Sequence, residues 1–245
     1  MNLVFLRHGL SEWNISNKFT GWVDVPLHKD GIEEAEQAKK TIEKEGFKPD
    51  KVYTSYLERA QKTAQIVSNV EYIKDWRLNE RHYGALQGLD KKETALKYGE
   101  AKVHEWRRGY NTKPPLLSDH SKNNSFELSN YNDLNIEIPL GESLEDVVKR
   151  VGSILKAILE DALYGNVLVV AHGNSIRAMV KLIENISDEN IVKLNIPTCI
   201  PLAFNVKGSL IAKENYVERI GYLGDKKDVL LATKEVEQQS KINNK

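Results

Sequence analysis

A single cysteine, Cys199, leaves no internal disulfide to form, so a reducing compartment is the natural setting. No apolar run approaches the roughly 20 residues of a membrane span. The N-terminus lacks the basic start and longer apolar stretch of a secretory leader, so a cytoplasmic globular protein is expected. Charge of one sign is not in excess: 35 Lys and Arg balance 35 Asp and Glu. That argues against a general nucleic-acid or membrane-surface binder, although a neutral total permits local clusters. There is no His-x-x-x-His pair and no cysteine cluster, hence no zinc signature, and no internal repeat beyond one short echo.

That echo is where the chemistry starts. Leu3-Val4-Phe5-Leu6 is a short apolar strand ending in Arg7-His8-Gly9, and Val167-Leu168-Val169-Val170-Ala171 ends in His172-Gly173. Two buried strands delivering His-Gly at their carboxyl ends suggest two imidazoles at one site, because ligands bind at that edge of open α/β sheets. Between them, Ser11 to Pro26 reads as polar loop. Asp30 is expected to cap a helix with Ile32, Ala35, Ala38 and Ile42 inward and Gly46 as its stop. Val52–Ser55 is a short strand leading to a helix whose buried stripe is Leu57, Ala60, Ala64 and Val67, and residues 70–76 are a further candidate strand. Ser143 with Asp146 forms a capping box for a strongly amphipathic helix, and another helix is expected from about Ser175.

Alternating strands and helices predict an α/β three-layer sandwich, with a mostly parallel central sheet flanked by helices. The expected organisation is one domain over 1–225, a surface excursion around 113–140 where periodicity vanishes, and a mobile tail over 226–245.

Arg7 beside His8 makes a divalent metal a poor guest and a phosphate a good one, since guanidinium donors match phosphoryl oxygens in pairs. Arg59 at a helix start and the Arg107-Arg108 pair are further candidates. His28, His104 and His120 sit in polar surroundings and read as surface residues. The turn at Ser175 lacks the glycine pattern of a serine-nucleophile elbow. Cys199 has no basic neighbour and reads as packing.

Longer strings carry a resemblance. These are Arg7–Asn14, Phe19-Thr20-Gly21-Trp22, Glu80–Leu89, Trp106–Tyr110, Ala171–Arg177, Asn195–Thr198 and Tyr222–Asp225. From Asn2 to about Asp225 the chain resembles the histidine phosphatase superfamily and, within it, the cofactor-dependent phosphoglycerate mutases. The resemblance implies His8 as the nucleophile that carries the phosphoryl group, with Arg7, Arg59 and His172 around it and Glu80 as general acid and base. It implies Ser11, Asn14, Thr20, Gly21, Gly173 and Asn174 as hydrogen-bonding partners of phosphate or substrate. Tyr83, Lys91, Arg107 and Arg108 would hold the carboxylate and second phosphate. The implied cofactor is 2,3-bisphosphoglycerate, which primes His8, with no metal. The implied partners are small phosphorylated three-carbon acids and further copies of the chain in a homodimer or homotetramer, not nucleic acid or membrane.

Two departures stand out. The family commonly has glycine after Ile-Pro-Thr, where this chain has Cys199, and serine more often follows the arginine pair, where this chain has Gly109. A tail that folds over the site in the family is divergent here. A hydrolase of the same superfamily would need the same His8, Arg7, Arg59 and His172. The groups that retain a three-carbon diphosphate, Asn14, Lys91, Arg107 and Arg108, favour the mutase. A ligand sensor without turnover would lack a nucleophile or an acid, and both His8 and Glu80 are present.

Overall fold

The computed structural model describes residues 1–118, 130–209 and 214–238; His120 and the end of the expected tail lie outside them. Its centre is a six-stranded sheet of β1 (Leu3–Arg7), β2 (Lys51–Thr54), β3 (Tyr72–Lys74), β4 (Val167–Ala171), β5 (Leu202–Ser209) and β6 (Glu214–Tyr222), in the order β3-β2-β4-β1-β5-β6. β3, β2, β4 and β1 pair in parallel, while β5 runs antiparallel to β1 and β6 antiparallel to β5. The sheet is thus mostly parallel, with the departure confined to one edge.

β1 and β4 read as unbroken apolar runs because both faces of the sheet are covered. Leu3, Phe5, Val167 and Val169 join the core formed with α6 (Leu144–Ala162) and α7 (Gly173–Glu184). Val4, Leu6, Leu168 and Val170 join the opposite core, under α2 (Lys29–Lys44) and α3 (Glu58–Val67). This is the three-layer arrangement. In α6 the Ser143–Asp146 capping box forms, and Leu144, Val147, Val151, Ile154, Leu155 and Ile158 are buried. Each such side chain contributes roughly 1.5–3 kcal/mol by leaving water.

Several boundaries differ from the sequence reading. α2 is capped by His28, whose Nδ1 accepts the Asp30 N–H at 3.3 Å. Asp30 instead lies in the first turn, where a carboxylate suits the helix dipole. Ile32 is exposed, and Gly31 takes the inward position. The reason is a backbone-to-backbone contact: a Cβ on Gly31 would lie 2.1 Å from Leu10 O, and one on Gly9 would lie 2.2 Å from Gly31 O. Only glycine at both positions lets α2 seat against the turn after β1.

The loop expected over 11–26 contains a short helix, α1 (Glu12–Ile15), capped by Ser11. α7 begins at Gly173 rather than Ser175, because His172 is its N-cap and the Ser175 hydroxyl takes the His172 N–H at 3.0 Å. α4 (Lys91–Tyr98) and α5 (Glu100–Arg108) account for the Lys- and Glu-rich region, and residues 226–238 of the C-terminal segment form α8 (Lys226–Gln238). Within 113–140, the Tyr131 ring packs 5.2 Å from Trp22, and Asn79 donates to its hydroxyl at 2.8 Å. Among the described residues no helix is long and apolar enough to cross a membrane.

Candidate active site

The register of the parallel strands builds the site. Arg7 pairs with Ala171 and Thr54 with Val170, so the residues that follow, His8, His172 and Ser55, emerge side by side at the carboxyl edge. His8 N–H donates to Ala171 O at 3.0 Å, and the two imidazole centroids are 4.9 Å apart. Both histidines are almost wholly buried.

His8 Nδ1 lies 2.7 Å from the carbonyl oxygen of Gly9. A carbonyl can only accept, so Nδ1 carries the proton and Nε2 keeps its lone pair. Burial, then the Arg59 and Arg7 guanidiniums, hold the imidazole well below its ordinary pKa; the Gly9 carbonyl opposes them without prevailing. The ring is therefore a neutral imidazole at physiological pH, and its unprotonated Nε2 accepts a hydrogen bond from Arg59 Nε at 3.4 Å. Loss of hydration, then Arg59, His8 and Arg7, likewise keep His172 neutral.

α3 presents Arg59 from its first turn, where the guanidinium is clamped by Gly21 O at 2.8 Å and Val23 O at 3.0 Å. The same helix reaches the turn after β1, since Thr63 Oγ1 accepts the Gly9 N–H at 3.2 Å. Arg7 donates to Ile196 O at 2.8 Å. Glu80 accepts from the backbone N–H of Arg81 at 2.7 Å and of Asn174 at 3.2 Å. Asn174 also donates from Nδ2 to the Tyr83 hydroxyl at 3.1 Å and accepts from Arg177 at 2.9 Å. Arg108 is tied to Leu194 O at 3.4 Å and to the Asn195 side chain.

Most of these groups line one cleft. Of the sequence-predicted residues it brings together Arg7, His8, Asn14, Thr20, Gly21, Arg59, Glu80, Tyr83, Lys91, Arg107, Arg108, Gly173 and Asn174. Two are outside its lining: His172, whose ring lies 4.9 Å from that of His8, and Ser11, which is fully buried, with its N–H and hydroxyl holding Asn14 Oδ1 at 3.0 and 2.9 Å. The sequence reading missed Lys18 and Arg177 as wall residues. Arg177 was findable, because it follows Asn174 by three residues on one helix face. Nothing in the sequence singles out Lys18.

The electrostatics are one-sided. Arg7, Lys18, Arg59, Lys91, Arg107, Arg108 and Arg177 put seven basic side chains on the wall against one acidic one, Glu80. Burial and the neighbouring guanidiniums bring Lys91 down to about 7; burial is also the main cause that brings Arg59 and Arg107 to about 10 and Arg177 to about 9. Three buried donors on this wall, Arg7 Nε, Arg107 Nη1 and Arg177 Nε, have no acceptor among the described residues. Each unsatisfied donor costs roughly 1–3 kcal/mol. A ligand with several acceptor oxygens and multiple negative charges would satisfy all of them.

Comparison with known proteins agrees with this geometry. A model of the histidine phosphatase superfamily (branch 1) matches residues 3–209. The chain is 44% identical to a 2,3-bisphosphoglycerate-dependent phosphoglycerate mutase of Lachnoclostridium phytofermentans, over 99% of both chains. It is 48% identical to the enzyme of the same name from Enterococcus faecalis, over 87% of this chain and 98% of that one. Among solved structures, a mycobacterial hydrolase superposes with a TM-score of 0.72 at 20% identity, covering 91% of this chain and 99% of that one. A mycobacterial glucosyl-3-phosphoglycerate phosphatase superposes with a TM-score of 0.69 at 22% identity, with the same coverage. At such identity the two structures bear on the fold alone.

Proposed function

The chain belongs to the histidine phosphatase superfamily, branch 1, and on that basis we propose that it interconverts 3-phosphoglycerate and 2-phosphoglycerate through a phosphohistidine on His8, primed by 2,3-bisphosphoglycerate. One observation carries the reading: a neutral histidine with an unprotonated Nε2 stands among seven basic side chains, three of whose buried donors lack an acceptor among the described residues. Relatives 44–48% identical carry the mutase name.

His8 Nε2 attacks phosphorus in line, forming the N–P bond as the bond to the glycerate oxygen breaks. Arg7 and Arg59, both close enough to His8 to act on its charge, take up the charge that spreads over the equatorial oxygens. They need no reorganisation, because each is already pinned by backbone carbonyls. When a substrate hydroxyl attacks the phosphorus on His8 and the N–P bond breaks, the Glu80 carboxylate takes the hydroxyl's proton, and Glu80 returns that proton to the departing oxygen in the transfer to His8. Two backbone N–H groups hold its Oε1 in place. Arg107, Arg108, Lys91, Lys18 and Arg177 hold the carboxylate and second phosphate, which keeps the three-carbon acid in the cleft while it turns. When bound, 2,3-bisphosphoglycerate supplies the first phosphoryl group to His8; its two phosphates and carboxylate match the wall's cations and orphan donors. A single catalytic domain, a homodimeric or homotetrameric assembly and a cytoplasmic setting belong to the same proposal.

The test follows 2-phosphoglycerate formed from 3-phosphoglycerate with and without 2,3-bisphosphoglycerate. Turnover that depends strongly on the bisphosphate, and is lost together with acid-labile labelling in His8→Ala, is expected. Release of inorganic phosphate as the main product would replace the mutase with a hydrolase.

A further inference from the structure

Two strands that end alike, in His8-Gly9 and His172-Gly173, deliver imidazoles to one edge, and their neighbours give them opposite tautomers. The Gly9 carbonyl, 2.7 Å away, puts the proton of His8 on Nδ1. At His172 the near partner is on the other nitrogen: Nε2 lies 2.7 Å from Ser55 Oγ, while Nδ1 is buried without a partner. Ser55 is itself fully buried, one residue beyond β2.

The Ser55 hydroxyl is not free to choose its role. Its oxygen already accepts the Leu57 N–H at 3.1 Å, at the N-cap of α3. Its own proton then needs an acceptor, and among the described residues the one recorded is His172 Nε2. In the opposite arrangement, with the proton on His172 Nε2, the buried serine proton would have no acceptor among the described residues. A buried hydroxyl without an acceptor would then replace a satisfied hydrogen bond.

We infer that Ser55 is a positioning residue that holds His172 in its Nδ1–H tautomer, so that the second imidazole meets the phosphoryl group as a hydrogen-bond donor and leaves the attack to His8. The relay Leu57 N–H to Ser55 O–H to His172 Nε2 also joins His172 to the segment that carries Arg59. The groups that flank the transferred phosphate are thereby referenced to one strand-to-helix turn. This inference rests on the proposed transfer through His8.

The test has a spectroscopic arm that needs no turnover. In the full chain labelled with 15N-histidine, long-range 1H–15N correlation is expected to show a protonated Nδ1 and a bare Nε2 at His172, and a shift of that proton toward Nε2 in Ser55→Ala. In the kinetic arm, Ser55→Ala is expected to lose roughly 10- to 100-fold in kcat with KM within about threefold, and Ser55→Thr, which keeps the hydroxyl, to recover most of it. A wild-type His172 protonated on Nε2 would overturn the inference even if no variant folds, as would Ser55→Ala with unchanged kcat or an unmoved proton. Absence of mutase turnover with the Nδ1 proton in place would instead strike the functional reading and leave the tautomer standing.

Discussion

Arg150 and Glu142 form a buried ion pair, 2.7 Å from Nε to Oε1, and neither lines the cleft. What the pair does is hold the segment that carries Glu80. Arg150 donates to the carbonyls of Arg77 at 2.6 Å, Asn79 at 3.0 Å and Glu80 at 2.9 Å, and Glu142 accepts the His82 N–H at 2.8 Å. One guanidinium of α6 thus satisfies three carbonyls of that segment.

Breaking the pair from either side leaves a buried charge without its partner, which costs about 3–5 kcal/mol. Arg150→Met is expected to lower stability to urea by that amount and to reduce kcat more than it raises KM, because Glu80 loses its anchor. Glu142→Gln is expected to do less, since the amide oxygen still accepts. Arg150→Met with unchanged stability and kcat would show that the pair is incidental to the site.

Lys91 gives a pH signature. With its amine half-buried in the cleft and its pKa lowered to about 7 by loss of hydration, then by Arg107 and Arg7, it is largely neutral above that pH. A bound anion favours the charged form and raises the pKa again. Below about 7 the amine is already protonated, so binding takes up no proton there. Above it, binding takes up a proton and affinity falls as pH rises. Calorimetry of 2,3-bisphosphoglycerate binding near pH 8, in buffers of differing ionisation enthalpy, should therefore show an uptake that disappears in Lys91→Met. The same uptake in that variant would assign the proton elsewhere.

Cys199 stands where the family commonly has glycine, and its backbone shows why glycine suits the position. Its φ is +48°, in the left-handed region, while its N–H donates to Arg7 O at 3.0 Å and its side chain is buried. A left-handed residue with a Cβ costs roughly 1–2 kcal/mol. Cys199→Gly relieves that cost but forfeits the buried thiol and frees the unfolded chain, so its stability to urea is expected within about 1 kcal/mol of wild type. Cys199→Val, branched at Cβ, should lose about 2 kcal/mol or more. Equal stability of the valine and glycine variants would count against the backbone argument. Burial also pushes the thiol pKa well up, in keeping with a packing role.

Much of this was legible because the signals were local. The apolar runs of β1 and β4, the Ser143 cap and the stripe of α6 depend on neighbours within a few residues, and they appear where expected. The inward face of α2 was misjudged at Ile32 because the close contact of Gly9 with Gly31 is a property of two segments that meet. Lys18 on the wall has the same origin: its place follows from how the turn after α1 folds over the cleft.

The linear chain by itself determined that two His-Gly pairs end buried strands, that arginine stands beside the first, and that the phosphate chemistry is therefore at a sheet edge. The two ends read nearly alike by themselves, and it was the resemblance carried by the longer strings that implied His8 as the nucleophile. The protonation pattern of the two rings belongs to the tertiary structure. Parallel pairing of β1, β4 and β2 sets Gly9 O against one nitrogen of His8 and Ser55 Oγ against the opposite nitrogen of His172. A proton's place on an imidazole is set by what the other nitrogen touches, and those contacts exist only once strands distant in sequence lie side by side.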